Sequence, residues 1–339
     1  MFGNKRKILD GAQTLSRKET PHTFAGNPID RADQIRRNES EIHDLMHSPR
    51  AKVLILAGLD PLITTSRNPS IALGWLPFKT AKNIVGTDPN LSTFLGVTPE
   101  RNPIIAWNLN GSARNGSDQL PQSHLGELNL EICDARESAM LISGEETGIL
   151  AQARANLGWH STHQFCARCG DPTEMRRGGL MRQCVGCNAE HFPRTDPVII
   201  TVVTHGDRCI LGQSAGRLSA MKMYSALAGF MDHGESMEEA VRREVWEEAG
   251  IKVGRVQYHS TQPWPFPSSL MIGSHSEALT TDINKDDFEM TDVRWWDRDE
   301  VLLALAEKSE NLRVPGPIAI AHHLIKAWAT GKAGDFRIS

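Results

Sequence analysis

The sequence predicts an α+β protein in three parts: an N-terminal α+β domain, a small cysteine-held ribbon, and a C-terminal domain that carries the chemistry. Three observations predict it. Two Cys-x-x-Cys pairs, Cys166 with Cys169 and Cys184 with Cys187, fall close together near the middle of the chain. Glu244, Glu247 and Glu248 recur at helical spacing just after the loop between Gly229 and Gly234. Short apolar runs, punctuated by Pro and Gly, read as strands on both sides of the cysteines. At 339 residues the chain is long enough for two domains or three.

Composition bounds the class. Hydrophobic residues at 40% and charged residues at 23% are ordinary for a globular protein. A net charge of −4 argues against a general nucleic-acid coat or a binder of anionic membranes, although a local basic patch stays open. No apolar run approaches the length of a membrane-spanning helix. Lys5, Arg6 and Lys7 are not followed by an apolar stretch, so they do not read as a secretory signal. Asp10 and Glu19 weaken a transit-peptide reading, and the expected compartment is the cytosol.

Residues 1–20 are polar, aperiodic and expected to be poorly ordered. Residues 21–158 form the expected N-terminal domain. Within it, 29–48 is charged and helix-compatible, and strands are expected at 51–57, 71–76, 93–97 and 104–109. Residues 111–121 read as a loop, and 137–142 as part of a strand or a short helix. Residues 145–157 make a better helix, with Ile149, Ala153 and Leu157 on one stripe.

Residues 159–193 are the expected zinc ribbon. A Cys-x-x-Cys turn brings two thiolates to one side, and Gly170 and Gly186 relieve the turns. Two such turns supply Cys166, Cys169, Cys184 and Cys187 as a tetrahedral set for one Zn²⁺, closed to further ligands and therefore structural. The rival reading is a redox dithiol pair. Ribbons of this kind also occur in nucleic-acid binders, and Arg176, Arg177 and Arg182 lie in the intervening loop, where a solvated turn accounts for them equally. Cys133 and Cys209 have apolar surroundings and read as buried free thiols.

Residues 194–332 are the expected C-terminal domain. Strands are expected at 197–203, 208–212, 255–260, 270–272 and 293–296, and helices at 297–305 and 316–329. The last should turn Ile318, Ala321 and Ile325 inward. The central helix has its own signals: Ser236 followed by Glu239 makes a capping box, and Gly250 stands at the C-cap. At about 100° per residue, Glu244, Glu247 and Glu248 share one face. Their repulsion calls for a cation, and hard divalent ions such as Mg²⁺ take carboxylate oxygens and phosphates together. Arg243 is placed to hold one carboxylate. The bland alternative is a solvated acidic face.

Thr261, Gln262, Pro263, Trp264, Pro265, Phe266, Pro267, Ser268 and Ser269 form the remaining distinctive run. Alternating prolines with Trp and Phe predict a stiff, extended segment fit to wall a pocket that stacks flat rings. The alternative is a connector whose aromatics enter the core.

These motifs carry a resemblance. Gly229, Glu235, Arg243, Glu244, Val245, Glu247, Glu248, Gly250 and Ile251 match every fixed position of the Nudix box. Gln262 through Ser269 match QPWPFPxS, which marks the NADH pyrophosphatase branch of the Nudix hydrolases; that branch also carries a four-cysteine ribbon just before the Nudix domain. The likeness is specific over residues 157–330 and weak before them.

The resemblance implies a C-terminal Nudix α/β/α sandwich, a homodimer, and cleavage of NAD(H) to NMN(H) and AMP. It implies catalytic Mg²⁺ or Mn²⁺, more than one, on Glu244, Glu247 and Glu248, with the Ala228 carbonyl and Glu289 completing the set and Asp292 the runner-up to Glu289. Glu248 is the candidate for activating water, and Glu235 takes an accessory role. Substrate contacts carry over to Phe192, Phe230, Gln262, Pro263, Trp264, Pro265, Phe266, Pro267, Ser268, Ser269 and Ala321. Phe192 stands where the family commonly has Tyr, which removes a hydroxyl but keeps a stacking face. Three other readings stay open: removal of NAD caps from RNA 5′ ends, a broader ADP-ribose-type hydrolase, and a zinc-ribbon binding module with a catalytically dead Nudix domain.

Overall fold

A computed structural model describes residues 22–66, 70–85, 92–109 and 122–333. Residues 1–20 and 111–121, expected as a poorly ordered segment and a loop, lie outside the described residues.

The N-terminal part is built on a six-stranded sheet. Its elements in chain order are α1 (Glu39–Met46), β1 (Lys52–Ala57), β2 (Asp60–Thr64), β3 (Trp75–Pro77), α2 (Phe78–Val85), β4 (Ser92–Val97), β5 (Pro103–Asn108), α3 (Gln122–Glu127), β6 (Leu130–Ile132), α4 (Ala135–Leu141) and α5 (Gly144–Thr162). The sheet runs β4-β5-β1-β2-β6, and β3 also pairs with β1. Strand alternation divides its core. Leu54, Leu56, Ile104 and Ala106 face Ile149, Leu150, Ala153 and Leu157 of α5, while Val53, Ile55, Ile105 and Trp107 face the opposite side.

Several expectations need correction here. The strand expected over 71–76 reduces to an isolated bridge at Leu73 and the short β3. Of the strand and the short helix left open for 137–142, the helix is found and ends at Leu141; Asp134 caps it, its Oδ1 accepting from the Arg136 and Glu137 amides at 2.8 and 3.2 Å. β6 was not expected at all. Cys133 is half-buried rather than buried. Helix α5 runs unbroken across the expected boundary at 158/159.

The ribbon is a three-stranded sheet of β7 (Thr173–Arg176), β8 (Met181–Cys184) and β9 (Glu190–His191). It is held to the N-terminal part. His160 Nε2 lies 2.8 Å from the Gly179 carbonyl, and Arg36 donates to the Arg177 carbonyl at 3.0 Å and to that of Phe94. At Gly179, with φ +85, an added Cβ would stand 2.4 Å from Thr93 Oγ1.

The C-terminal part comprises β10 (Asp196–His205), β11 (Arg208–Ser214), α6 (Arg217–Ala220), β12 (Leu227–Phe230), α7 (Met237–Ala249), β13 (Val253–Trp264), β14 (Ser269–Ala278), β15 (Met290–Asp297), α8 (Arg298–Leu305) and α9 (Ile320–Ala329). Its sheet runs β13-β14-β10-β11-β15, with β12 against β10. Ile199, Val203, Ile210 and Leu227 pack on Val241 and Val245 of α7. Ile200, Val202, Cys209 and Leu211 pack on Val301 of α8 and Leu324 and Ile325 of α9. Helices therefore cover both faces, the α/β/α sandwich that the resemblance implied. Cys209 is fully buried there, and burial pushes its thiol well above the usual range.

Two further corrections fall in this part. Helix α9 starts at Ile320 rather than 316, leaving Ile318 in the preceding turn. The run 261–269 is not one extended segment. It is a hairpin: Pro263 pairs with Leu270 and Trp264 with Ser269, and the chain turns between them, where Pro265 and Pro267 have no N–H to extend the ladder. Among the described residues, no helix is long and apolar enough to cross a membrane.

Candidate active site

Helix α7 is set by local chemistry. Ser236 Oγ accepts from the Glu239 amide at 3.3 Å, Glu239 Oε2 accepts from the Ser236 amide at 2.7 Å, and Gly250 ends the helix at φ 68°. Val241, Val245 and Ala249 anchor its inner face with no exposure. The three glutamates beside them are not equivalent. Glu244 and Glu248 are 9% and 6% exposed, whereas the Glu247 side chain is 51% exposed.

Glu244 lies on the backbone of Gly229, where an added Cβ would stand 2.0 Å from its Cδ. Arg243 holds the group together. Its Nε and Nη2 donate to Glu235 at 2.6 and 2.8 Å, its Nη1 to Glu244 at 2.8 Å and Glu247 at 2.9 Å, and its Nη2 also to the Phe230 carbonyl at 2.8 Å. The Arg243 bond holds Glu235 at about 2, well below an ordinary carboxylate. Burial pushes Glu244 up against the opposing pull of Arg243.

Glu248 is pushed up to about 8, by burial first and then by the Glu244 charge, although the Ala228 backbone opposes this. Its Oε2 is buried without a hydrogen-bond partner among the described residues. An orphaned buried carboxylate oxygen costs more than the ~1–3 kcal/mol of a neutral group. A divalent cation beside Glu244 and Glu248 relieves both the orphan and the repulsion, so the donor set fits a hard metal ion. The Glu289 charge acts on Glu244 and Glu248 alike. Asp292 is engaged elsewhere, with the Tyr224 hydroxyl and the Arg294 guanidinium.

The four ribbon cysteines form one cluster with all Sγ atoms within 4.8 Å. Cys169 Sγ is 3.4 Å from Cys184 and 3.5 Å from Cys187, and Cys166 is 3.7 Å from Cys187. Bonds of ~2.3 Å in a tetrahedron give edges of about 3.8 Å, so the spacing suits Zn²⁺. The Arg168 and Cys187 amides donate to Cys166 and Cys184 at 3.3 and 3.4 Å, and His191 Nε2 lies 3.3 Å from Cys166.

A NUDIX domain model matches residues 193–314, and an NADH pyrophosphatase zinc ribbon domain model matches 161–192. The human (Homo sapiens) NAD-capped RNA hydrolase NUDT12 is 34% identical over 345 residues, covering 92% of this chain and 74% of that protein. This chain belongs to the NADH pyrophosphatase family of Nudix hydrolases. The mitochondrial NAD(P)H pyrophosphatase NUDT13 of Mus musculus is 37% identical, covering 70% of this chain and 71% of its own. The NAD-capped RNA hydrolase NudC of Mycobacterium bovis is 37% identical, covering 60% and 67%.

The remaining residues expected at the site of this Nudix hydrolase divide into groups. Phe230 ends β12 opposite Val198, two residues beyond Ala228, and is 60% exposed. Phe192 is 55% exposed, at the end of the ribbon, and Ala321 is buried in the first turn of α9. Gln262 is fully buried and turned inward. Its amide donates to the Thr23 and Ile318 carbonyls at 3.0 and 2.8 Å and accepts from the Ile320 N–H at 2.7 Å. Its polar capacity is thus spent within the protein, stitching residue 23 to the start of α9.

Trp264 and Phe266 meet the N-terminal part instead. Both lie edge-on to Phe24, at 5.8 and 5.6 Å. The Arg136 and Arg154 guanidinium groups both lie over the Phe266 ring, at 3.7 and 4.6 Å from its centroid, and Arg154 donates to the Pro265 carbonyl at 2.8 Å. Ser268 donates to Asp196 at 3.2 Å. Pro263 and Ser269 border the same junction, and Pro267 is exposed at the turn. Sequence reasoning missed Phe24, Arg136 and Arg154, because nothing local marks an isolated residue as the partner of a hairpin more than a hundred positions away.

Proposed function

We propose that this chain hydrolyses the diphosphate of NAD(H), releasing NMN(H) and AMP. The observation that carries it is the buried pair Glu244 and Glu248, one nested on Gly229 and the other with an unpartnered oxygen, in a chain that also bears QPWPFPxS. Glu244, Glu247, Glu248, Glu289 and the Ala228 carbonyl would hold Mg²⁺ or Mn²⁺. When bound, such a cation offsets the diphosphate charge and acidifies its water.

The protein's part is positional and protonic. Arg243 fixes Glu244 and Glu247 as a rigid pair of acceptors and leaves Glu248 to its own environment. Glu248, the candidate for activating water, is buried beside the Ala228 backbone with one carboxylate oxygen free of protein partners. Phe230 and Phe192 present exposed rings for stacking on flat bases. The zinc ribbon holds one structural Zn²⁺.

Removal of NAD caps from RNA is a second reading, favoured by relatives named for that reaction. A homodimer and a cytosolic location belong to the proposal too, although relatives include a mitochondrial protein. The test is chromatography of NADH incubated with protein and Mg²⁺ or Mn²⁺, with Glu248→Gln alongside. NMNH and AMP from the wild type and none from the variant is the expected result. An intact NADH pool with turnover of ADP-ribose would overturn the substrate. NAD-capped RNA, assayed in parallel, decides the second reading.

A further inference from the structure

Five imidazoles form a chain where the N-terminal part meets the C-terminal sheet and helix α9. His275 of β14 lies 5.3 Å from His259 of β13, His22 lies 4.6 Å from His323 of α9, and His323 lies 5.5 Å from His322, all between ring centroids. Ser260 closes the gap in the middle, its Oγ 2.7 Å from His22 Nε2 and 2.7 Å from His259 Nδ1. A bulge supplies this geometry. Tyr258 pairs with Ser274 and Ser260 with Gly273, so His259 is an extra residue in the strand. Such a residue re-aims a side chain that regular alternation would send to the opposite face from its neighbour. Gly273 lets α9 approach: an added Cβ there would stand 2.8 Å from Ile320 Cδ1.

Residues 22–25 form a strap across this contact. The Ala25 amide donates to the His22 carbonyl at 2.9 Å, and the Thr23 carbonyl accepts from Gln262 at 3.0 Å. Phe24 is buried, and its amide donates to Thr147 Oγ1 at 2.9 Å. On α9, His322 Nδ1 and His323 Nε2 donate to the Pro315 and Pro317 carbonyls at 2.9 and 2.8 Å, which holds the turn before the helix. His275 Nε2 donates to the Leu324 carbonyl at 2.9 Å. At Ser260 the hydroxyl has one hydrogen. With both imidazoles neutral, one nitrogen donates to Oγ and the hydroxyl donates to the other. A further proton on that acceptor nitrogen displaces the hydroxyl hydrogen and sets a cation among the other rings.

No countercharge meets that cation. The charges acting on His22 are those of His323 and His259, on His259 that of His323, on His275 that of His259, and on His322 those of His323 and Lys326. All of them are cationic when present, and no Asp or Glu among the described residues figures with them. Burial first, and then His323 and His259, lower the His22 pKa to about 4. Burial also lowers His259, His275 and His322.

We propose that this histidine chain is an acid-operated latch: neutral imidazoles hold the strap 22–25 against β13 and the start of α9, and protonation drives it off. The closed latch excludes protons that the open strap takes up freely. It is therefore fully shut above the ordinary histidine value of 6.5 and opens as pH falls toward 4. The opening is local, because Arg154 holds the Pro265 carbonyl through groups that do not titrate in this range. The inference goes beyond the hydrolase reading, since the latch needs neither substrate nor divalent cation.

Amide hydrogen exchange of the full chain, read by mass spectrometry at pH 7.5 and 5.5 and corrected for the intrinsic effect of pH, tests the latch. Protection of peptides covering residues 23–27 should fall at least about tenfold across that interval, the loss expected from one excluded proton. Peptides from β1 and β10 should keep their protection, which also certifies folding in each variant. His22→Gln and His259→Gln each keep a hydrogen-bonding group for Ser260 without titrating, and each should remove most of the fall. Protection of 23–27 that holds at pH 5.5 in the wild type would overturn the latch. So would an equal fall in both variants, or a fall shared by β1 and β10, which would mean that the whole chain unfolds together.

Discussion

The Glu244 carboxylate rests on the backbone of Gly229, with room for nothing between them: a Cβ at residue 229 would stand 2.0 Å from Cδ and about as close to both oxygens, at 2.1 and 2.2 Å. The glycine of the strand and the glutamate of the helix are thus one structural unit. Gly229→Ala should move Glu244 by about an ångström and lower kcat by about 100-fold, because misplacement on that scale removes reactive geometry. Steady-state NADH turnover measures the loss. A Tm within a few degrees of wild type separates it from unfolding.

Arg243 joins Glu235, Glu244, Glu247 and the Phe230 carbonyl. Its removal releases three carboxylates at once. Arg243→Ala should weaken metal affinity or activity by about 10- to 100-fold, the usual cost of losing a group that orients ligands. Arg243→Lys should recover little, since a point charge cannot reproduce the fork. Metal titrations of activity for both variants check this, and full activity in the lysine variant would disprove the role.

What is legible in the sequence is what local chemistry writes. Ser236, Glu239 and Gly250 announce both ends of α7, and the cysteine spacing announces the ribbon. What is not legible depends on distant partners. Glu247 and Glu248 are adjacent in the chain and identical in type, yet one is exposed and the other buried, because the helix turns only the second toward the Ala228 backbone of β12. The Pro-rich run misleads for the same reason. Its prolines suggest one stiff rod, while the ladder to β14 and the grip of Arg154 fold it into a hairpin.

That grip is itself testable. Phe266 is held by Arg136, Arg154, Phe24 and Trp264, so it joins the N-terminal part to the C-terminal sheet. Phe266→Ala should cost about 2 kcal/mol, less than a fully buried Phe because the ring is half-buried. Urea unfolding should show a lower midpoint and a less cooperative transition as the two parts come apart. An unchanged midpoint would mean that the junction contributes no stability.

The ribbon ties its metal to folding. With the four thiolates at tetrahedral spacing, withdrawal of Zn²⁺ leaves like charges in contact and frees β7 and β8. Cys184→Ser, or a strong zinc chelator at neutral pH, should lower Tm. Activity should disappear along the same thermal curve as structure, because this metal supports the fold and not the reaction. Thermal scans in parallel with residual turnover test this. Loss of turnover with an unchanged Tm would count against a structural role.

Acid should loosen the contact between the N-terminal part and the ribbon through His160. Its Nε2 faces the Gly179 carbonyl at 2.8 Å and its Nδ1 faces the Arg182 guanidinium at 3.3 Å, so Nε2 carries the proton and Nδ1 accepts. A second proton would have to sit on Nδ1, against a cation. Burial first, and then Arg182, lower its pKa from 6.5 to about 4. His275, buried with Nε2 2.9 Å from the Leu324 carbonyl, is likewise lowered to about 4, again chiefly by burial. Between pH 6.5 and 4 the unfolded chain binds these protons and the folded chain does not. Their contribution is therefore complete above pH 6.5, falls by about 1.4 kcal/mol per unit for each histidine as pH drops, and levels off below 4. Urea midpoints at pH 7, 6 and 5 should decline accordingly. His160→Gln keeps a donor for Gly179 without titrating and should flatten part of that slope, and an unaltered slope in this variant would remove His160 from the account.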